Sequence, residues 1–136
     1  MSYEQKLEHF RLVFEKHNND RKKRLYPNLK SDKIAIEQGY KFDKVYVING
    51  DSEQSIGRYM VESRTGNIYG IKSWTQVNRR RQYGTLDIVD QYDWSEHYGR
   101  PLPGTQAEKN HVLREAEITS AHKKRGRKPK VASLSS

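Results

Sequence analysis

The residues with the clearest chemistry lie near the end of the chain, where six cations fall within eight positions. They are Lys123, Lys124, Arg125, Arg127, Lys128 and Lys130, interrupted by Gly126 and Pro129. The run holds no apolar side chain to bury, so it cannot fold by itself. Its cations gain free energy by contacting a polyanion, and nucleic acid is the commonest polyanion in a cell. The run therefore predicts binding, not catalysis.

The centre of this run, Arg125-Gly126-Arg127, suits a narrow groove in DNA. Gly126 lets the backbone lie against the groove floor, with the two arginines pointing in opposite directions along it. The stretch resembles the AT-hook of high-mobility-group A chromatin proteins, whose core is Arg-Gly-Arg-Pro with basic flanks. The resemblance implies minor-groove binding with a preference for A·T-rich DNA. Lys128 stands where the core proline belongs, and Pro129 follows one residue late, so the A·T preference is the part of the resemblance that this departure weakens.

Two other interpretations of the same run stay open. Its Lys-Lys-Arg-x-Arg pattern also fits a basic nuclear-import peptide, and a solvated tail without a partner is the third possibility. We expect an intracellular protein, located in the nucleus of a eukaryotic cell, in the cytoplasm or nucleoid of a bacterium, or in a virion. The expected partner is nucleic acid, DNA before RNA, with a protein partner for the folded part as an alternative.

The composition is consistent with nucleic-acid binding and excludes several classes of protein. The net charge is +9 over 136 residues, and the excess of cations lies towards both ends while residues 41–104 are nearly neutral. With 33% hydrophobic residues, the chain supports one modest core. It has no cysteine, which excludes disulfides, thiolate catalysis and cysteine–zinc sites. No apolar run reaches the length of a membrane span, so no membrane association is expected.

An arginine triplet in the middle of the chain is a second candidate contact. Arg79, Arg80 and Arg81 lie between two aromatic residues, Trp74 and Tyr83. Cations beside aromatic rings suit single-stranded nucleic acid, because bases stack on the rings while guanidinium groups follow the phosphates. The structural alternative is that both rings belong to the core and that the arginines pair with the acidic residues that follow.

A third basic cluster, Arg21, Lys22, Lys23 and Arg24, follows the first predicted helix. It is either another nucleic-acid contact or a solvated helix end whose cations complement the C-terminal dipole, and we favour the second interpretation.

Four carboxylates recur at every third residue just after the triplet: Asp87, Asp90, Asp93 and Glu96. On a helix this spacing drifts by about 60° per step, so the four cannot converge on one ion. A metal-dependent nuclease is therefore the least favoured function. The histidines show no metal-ligand spacing, and we expect no enzyme activity, no metal and no cofactor.

The elements that must position these residues indicate an α+β fold. A capping box of Ser2 and Gln5 begins an amphipathic helix from Tyr3 to about His17. Residues 31–38 predict a short helix closed by Gly39. Strands follow at residues 41–48, 56–62 and 67–74, the last two joined by a tight turn at Gly66. A three-stranded antiparallel meander covered by the first helix is the predicted core, with a short helix at residues 86–92 capped by Thr85.

Three segments follow from this pattern. Residues 1–104 form the α+β domain, residues 105–122 a polar helical arm begun by Thr105 and Glu108, and residues 123–136 a disordered basic tail. The stretch RYMVESRTGNIYGIKSWTQVNRRRQYGTLDIVDQYDW, residues 58–94, is also similar to small uncharacterised proteins of viruses and phages. The sequence thus predicts a non-enzymatic DNA-binding protein, with a viral structural or protein-interaction module as the alternative.

Overall fold

The computed structural model describes residues 2–96 and 98–116. In chain order its elements are α1 (Tyr3–Leu25), β1 (Lys33–Glu37), β2 (Phe42–Ile48), β3 (Ser55–Glu62), β4 (Asn67–Ser73), β5 (Gln76–Thr85), a 3-10 helix (Leu86–Gln91), β6 (Tyr92–Asp93), β7 (Arg100–Pro101) and α2 (106–116). The five long strands form one antiparallel sheet in the order β1-β2-β3-β4-β5, and β6 pairs with β7. The α+β class is confirmed.

Helix α1 begins as the sequence predicts and ends later. Ser2 Oγ accepts a hydrogen bond from the Gln5 amide, and Gln5 Oε1 accepts one from the Ser2 amide, which completes the capping box. The helix continues past His17 to Leu25. The amide side chains of Asn18 and Asn19, which we expected to stop the helix, instead donate to the side chain and the carbonyl of Asp32. A tertiary contact therefore replaces the predicted stop.

The sheet has five strands where the sequence predicted three. Residues 33–37 form β1 and not a helix, because Ile34 and Ile36 alternate towards α1 along an extended chain. Gly39 lies in the turn after β1, where its amide donates to Asp43 Oδ1, and it does not close a helix. The fifth strand, β5, which the sequence did not predict, contains the arginine triplet.

The hairpin of β3 and β4 is confirmed. Gly66 has a φ of +77°, the left-handed conformation that the tight turn requires. Opposite residues pair as Val61 with Ile68 and Met60 with Tyr69. The residue pairs therefore alternate between the two faces of the sheet: Val61 and Ile68 join the core under α1, while Met60 and Tyr69 lie on the other face.

The core lies between α1 and one face of the sheet and is mostly aromatic. Phe10 packs edge-on against Trp94 and Tyr59, with ring centroids 4.7 and 5.8 Å apart. Trp94 is fully buried, and its indole N–H donates to the carbonyl of Val89. On β2, Val45 and Val47 face this core with Asp43, whose carboxylate accepts a hydrogen bond from the Tyr3 hydroxyl.

Downstream of the sheet, the predicted helix at residues 86–92 is a 3-10 helix that ends at Gln91, and Thr85 makes no side-chain cap bond. Leu86, Val89 and Tyr92 are nevertheless buried as expected. The backbone conformation of Ile88 (φ −119°, ψ 21°) interrupts regular helical geometry in this segment.

Helix α2 begins where Thr105 predicts it, with the Glu108 amide donating to Thr105 Oγ1. Its first turn is packed against the rest of the fold: Ala107 is fully buried, and its amide donates to Gln91 Oε1. Further along the helix, Arg114 donates to the carbonyl of Gln82 in β5. The domain boundary after Gly104 stays a prediction. Within the described residues, no helix combines the length and apolar character needed to cross a membrane.

Candidate nucleic-acid interface

The four carboxylates that could have neutralised the arginine triplet pair with side chains of α1 instead. The pairs are Lys6 with Asp87 (2.7 Å), His9 with Asp90 (3.0 Å), His17 with Asp93 (3.9 Å) and Arg21 with Glu96 (3.7 Å). The acidic series therefore follows the length of α1 and fastens the segment after β5 to that helix. The interpretation in which it balances the arginine triplet is wrong.

Arg79, Arg80 and Arg81 form a bulge in β5, which we call the arginine bulge. Gln82 pairs with Tyr69 and Asn78 with Gly70, although Tyr69 and Gly70 are adjacent on β4, so residues 79–81 have no partner on that strand. All three side chains are exposed. Within the part of the chain that the structure describes, none of them forms an ion pair.

The bulge directs its arginines to opposite faces of the sheet. The Arg79 guanidinium carbon lies 5.2 Å from the ring centroid of Phe42 and 5.4 Å from that of Tyr69, on the face away from α1. The guanidinium carbon of Arg81 lies 4.0 Å from the ring centroid of Tyr98. Gly70 leaves room for the Arg81 side chain, because a Cβ at position 70 would lie only 3.0 Å from the Cβ of Arg81. Cations thus reach both faces from one strand.

The face of the sheet away from α1, which we call the open face, carries aromatic rings covered by cations. The ammonium of Lys44 lies 3.7 Å from the ring centroid of Trp74, and Tyr46 packs edge-on against the same indole. Phe42 and Tyr69 meet with centroids 6.2 Å apart. Phe42 and Tyr46 share this face, and no helix of the described residues covers it. Cation–π contacts take the place of a second layer.

A groove of about 580 Å³ crosses the open face between the β1–β2 turn and the β4–β5 turn. Its lining includes Lys41, Lys44, Lys72, Glu37, Phe42 and Met60. Three lysines against one carboxylate make it a basic groove with an apolar floor. Sequence reasoning missed this site, although one signal was available: Phe42, Lys44 and Tyr46 stand at the two-residue spacing that places side chains on the same face of a strand.

The two aromatic residues named with the triplet have different environments. Trp74 is 41% exposed, whereas Tyr83 is buried in the aromatic core, with its ring centroid 5.2 Å from that of Tyr59. Burial raises the pKa of the Tyr83 hydroxyl, against the opposing effect of Arg81. Because the Tyr83 ring is inaccessible, a base cannot stack on it, and Trp74 is the member of the pair that remains a candidate.

The basic cluster at residues 21–24 lies at the C-terminal end of α1. Two of its members form ion pairs, and two do not. Lys22 donates to Asp32 Oδ1 at 2.6 Å and also contacts Asp51 at 3.4 Å, while Arg21 pairs with Glu96. These contacts tie the helix end to the loops beside it. Lys23 and Arg24 stay exposed. Arg21 and Lys22 therefore have a structural role. All four cations lie near the C-terminus of the helix, where the negative end of the helix dipole favours positive charge.

Burial acts to raise the pKa of Asp32, but hydrogen bonds from Lys22, Asn18 and the Gly50 amide outweigh it and hold that pKa below the usual range. Asp32 therefore connects α1, the start of β1 and the β2–β3 turn through its hydrogen bonds.

The described residues contain no group of three or more histidine, aspartate or glutamate side chains that could hold a metal ion. The tail residues Lys123, Lys124, Arg125, Gly126, Arg127, Lys128 and Lys130 lie outside the described residues, as does His97. No protein-family model, curated protein or solved structure matches this chain. Its function must therefore be inferred from the side chains and their arrangement.

Proposed function

We propose that this chain is a non-enzymatic nucleic-acid-binding protein that favours DNA. The observation that carries the proposal is the arginine bulge: three consecutive exposed arginines that form no ion pair within the described residues, while the acidic series that follows them pairs with α1. A cluster of uncompensated guanidinium groups repels itself unless an anion binds it. Phosphates are the anions that the planar, five-donor guanidinium recognises best.

The basic tail at residues 123–130 adds a second contact in this proposal. Its AT-hook-like Arg125-Gly126-Arg127 core enters the minor groove, while the flanking lysines reach the bordering phosphates. The bulge supplies affinity without reading sequence, because its donors face phosphates. Any preference for A·T-rich DNA then belongs to the tail.

The bulge is tested by replacing Arg79, Arg80 and Arg81 with glutamine in the full chain and measuring binding to labelled duplex DNA over a range of salt concentrations. The slope of log K against log salt should fall by up to about 2.7, at about 0.9 for each phosphate that is no longer neutralised. The matched control replaces Lys30, Lys33 and Arg64, three exposed cations outside β5 and outside the candidate sites, with glutamine. Equal slopes for the two triple variants would show that only net charge matters and would remove the bulge from the interface.

The tail is tested by Arg125→Lys with Arg127→Lys, which keeps the charge and removes the flat guanidinium shape. Binding to A·T-rich duplex should weaken more than binding to G·C-rich duplex. Lys128→Pro restores the core proline and should increase the discrimination between the two duplexes. If the unaltered chain and all three substitutions bind both duplexes equally, the tail is an electrostatic anchor or an import peptide and not a hook.

A further inference from the structure

The groove on the open face contains a lysine whose charge is poorly satisfied. The Lys44 side chain is only 8% exposed, yet its ammonium lies 3.7 Å from the nearest carboxylate oxygen of Glu37, beyond hydrogen-bonding distance. Within the described residues its other contact is the Trp74 ring, and it donates no hydrogen bond. An ammonium has three donors, and burying them without acceptors is costly. A buried cation that lines a groove and lacks an acceptor points to an anionic ligand.

The surroundings of Lys44 define what kind of anion fits. Lys41 and Lys72 line the same groove, so a ligand with more than one negative charge finds several cations along it. Phe42 and Met60 form an apolar surface between them. At the margin of the open face, Arg79 covers the rings of Phe42 and Tyr69. Alternating charge and flat apolar groups match a ligand in which phosphates alternate with planar rings.

Single-stranded nucleic acid is the polymer with this alternation. Its unpaired bases can stack on aromatic side chains and on guanidinium planes, while its phosphates follow lysines along a groove. In a duplex the bases are already stacked and paired, so a groove in a sheet cannot reach their faces. The open face also has no covering layer of protein on it within the described residues, unlike the face under α1.

We propose that the open-face groove binds the unpaired nucleotides of a single strand, with a backbone phosphate at Lys44 and a base on the ring of Phe42 or Trp74. This assignment rests on the proposed nucleic-acid function and deepens it by naming the ligand of the folded domain. Single strands then bind to the open-face groove, and duplex DNA binds to the arginine bulge and the basic tail. The cations now lying on the rings exchange a cation–π contact for a phosphate, which frees the ring faces for bases.

The test measures binding of the full chain to a short labelled oligothymidine and to a duplex of the same length. Lys44→Met keeps the long apolar stem beside Trp74 and removes the charge, and it should weaken oligothymidine binding at least about fivefold while duplex binding changes less than about twofold. Lys109→Met, an exposed lysine on α2, is the matched control and should leave both affinities unchanged.

A second variant keeps the groove's charge and guards against misfolding of the first. Phe42→Leu retains an apolar side chain and removes the ring, and it should weaken oligothymidine binding at least about threefold with duplex binding unchanged. Its fold is checked by the thermal transition of the free protein.

Three results would overturn the assignment. If both groove variants bind oligothymidine like the unaltered chain while the glutamine variant of the arginine bulge does not, the groove proposal fails and the nucleic-acid proposal survives. If the unaltered chain binds neither oligonucleotide, the proposed function itself fails. If thymidine monophosphate at equal nucleotide concentration displaces the oligothymidine completely, the groove is a site for free nucleotides and not for a strand.

Discussion

The two faces of the sheet use the same residue types for different purposes. Under α1, Phe10, Tyr59 and Trp94 contact one another and are almost completely removed from solvent. On the open face, Trp74 contacts the ammonium of Lys44, and part of its ring remains in water. The number of aromatic residues therefore says little about where the core is. What distinguishes the faces is that the rings under α1 are enclosed, whereas Trp74 on the open face keeps part of its ring in water beside a cation.

Charge divides the molecule in the same way. The acidic series after β5 is matched one to one by lysine, histidine and arginine side chains of α1, so each of its carboxylates has a partner on the covered side. The arginine bulge and the three groove lysines have few carboxylates beside them, chiefly Glu37 in the groove and Glu115 of α2 beside the bulge. The acidic series on the covered side is thus paired within the fold, whereas most cations of the open side have no carboxylate partner within the described residues.

The difference between the two faces is tested most strongly by removing one aromatic ring from each face and comparing the loss of stability. Phe10→Ala should lower the free energy of unfolding by about 3–5 kcal/mol, because it leaves a cavity among fully buried rings. Trp74→Ala should cost about 1 kcal/mol, since its ring is partly exposed and gains mainly a cation–π contact. Urea denaturation monitored by circular dichroism measures both values. Equal losses would show that the open face is a second core.

Lowering the pH should reduce the stability of the fold, because it protonates the carboxylate of Asp32. Its pKa is lower in the folded state than in the unfolded chain, so the carboxylate stabilises the fold above the unfolded pKa of about 4, and this contribution disappears as pH falls through the folded value. Asp32→Asn should cost about 2 kcal/mol at pH 7, because it removes the charge-assisted hydrogen bond from Lys22. Its stability should also vary less between about pH 5 and pH 2 than that of the unaltered chain, as denaturation across this range would show. An identical pH profile would contradict the role of Asp32.

The smallest effect is expected from the exposed ion pairs of the acidic series. Asp90→Ala should change the free energy of unfolding by less than about 1 kcal/mol, because the pair with His9 is largely solvated. The same variant tests the nuclease alternative. We expect plasmid DNA and single-stranded RNA to stay uncut by the unaltered chain with Mg²⁺ or Mn²⁺ on an agarose gel. Cleavage that disappears in Asp90→Ala would make these carboxylates catalytic.

The sequence predicted those elements whose signals are local. The capping box at Ser2 and the glycine turn at Gly66 are set by neighbouring residues, and both are confirmed. The predicted end of α1 near His17 was wrong, because the side chains of Asn18 and Asn19 donate hydrogen bonds to Asp32, a residue beyond the helix. The prediction of a helix at residues 31–38 was wrong because it relied on Gly39 as a helix end, whereas Ile34 and Ile36, at i and i+2, have the two-residue period of a strand.

The site was predicted only in part, for a similar reason. The arginine triplet and Trp74 stand out by composition, but the bulge that exposes the arginines depends on the register between β4 and β5. The two-residue spacing of Phe42, Lys44 and Tyr46 indicated a shared face, but it could not predict that Lys44 is buried, because that burial depends on its contact with Trp74. The tail at residues 123–130 stays a prediction.

The attachment of α2 to β5 has a consequence for affinity. Arg114 contacts the carbonyl of Gln82, the residue directly after the arginine bulge, so α2 is anchored beside the domain's own cations. From residue 116, where the described part of α2 ends, the backbone can extend at most about 25 Å before Lys123. In the function that we propose, a tether of this length would hold the basic tail at millimolar effective concentration around the arginine bulge. The two proposed contacts would then act as a chelate, in which a nucleic acid released by one is recaptured by the other before it diffuses away.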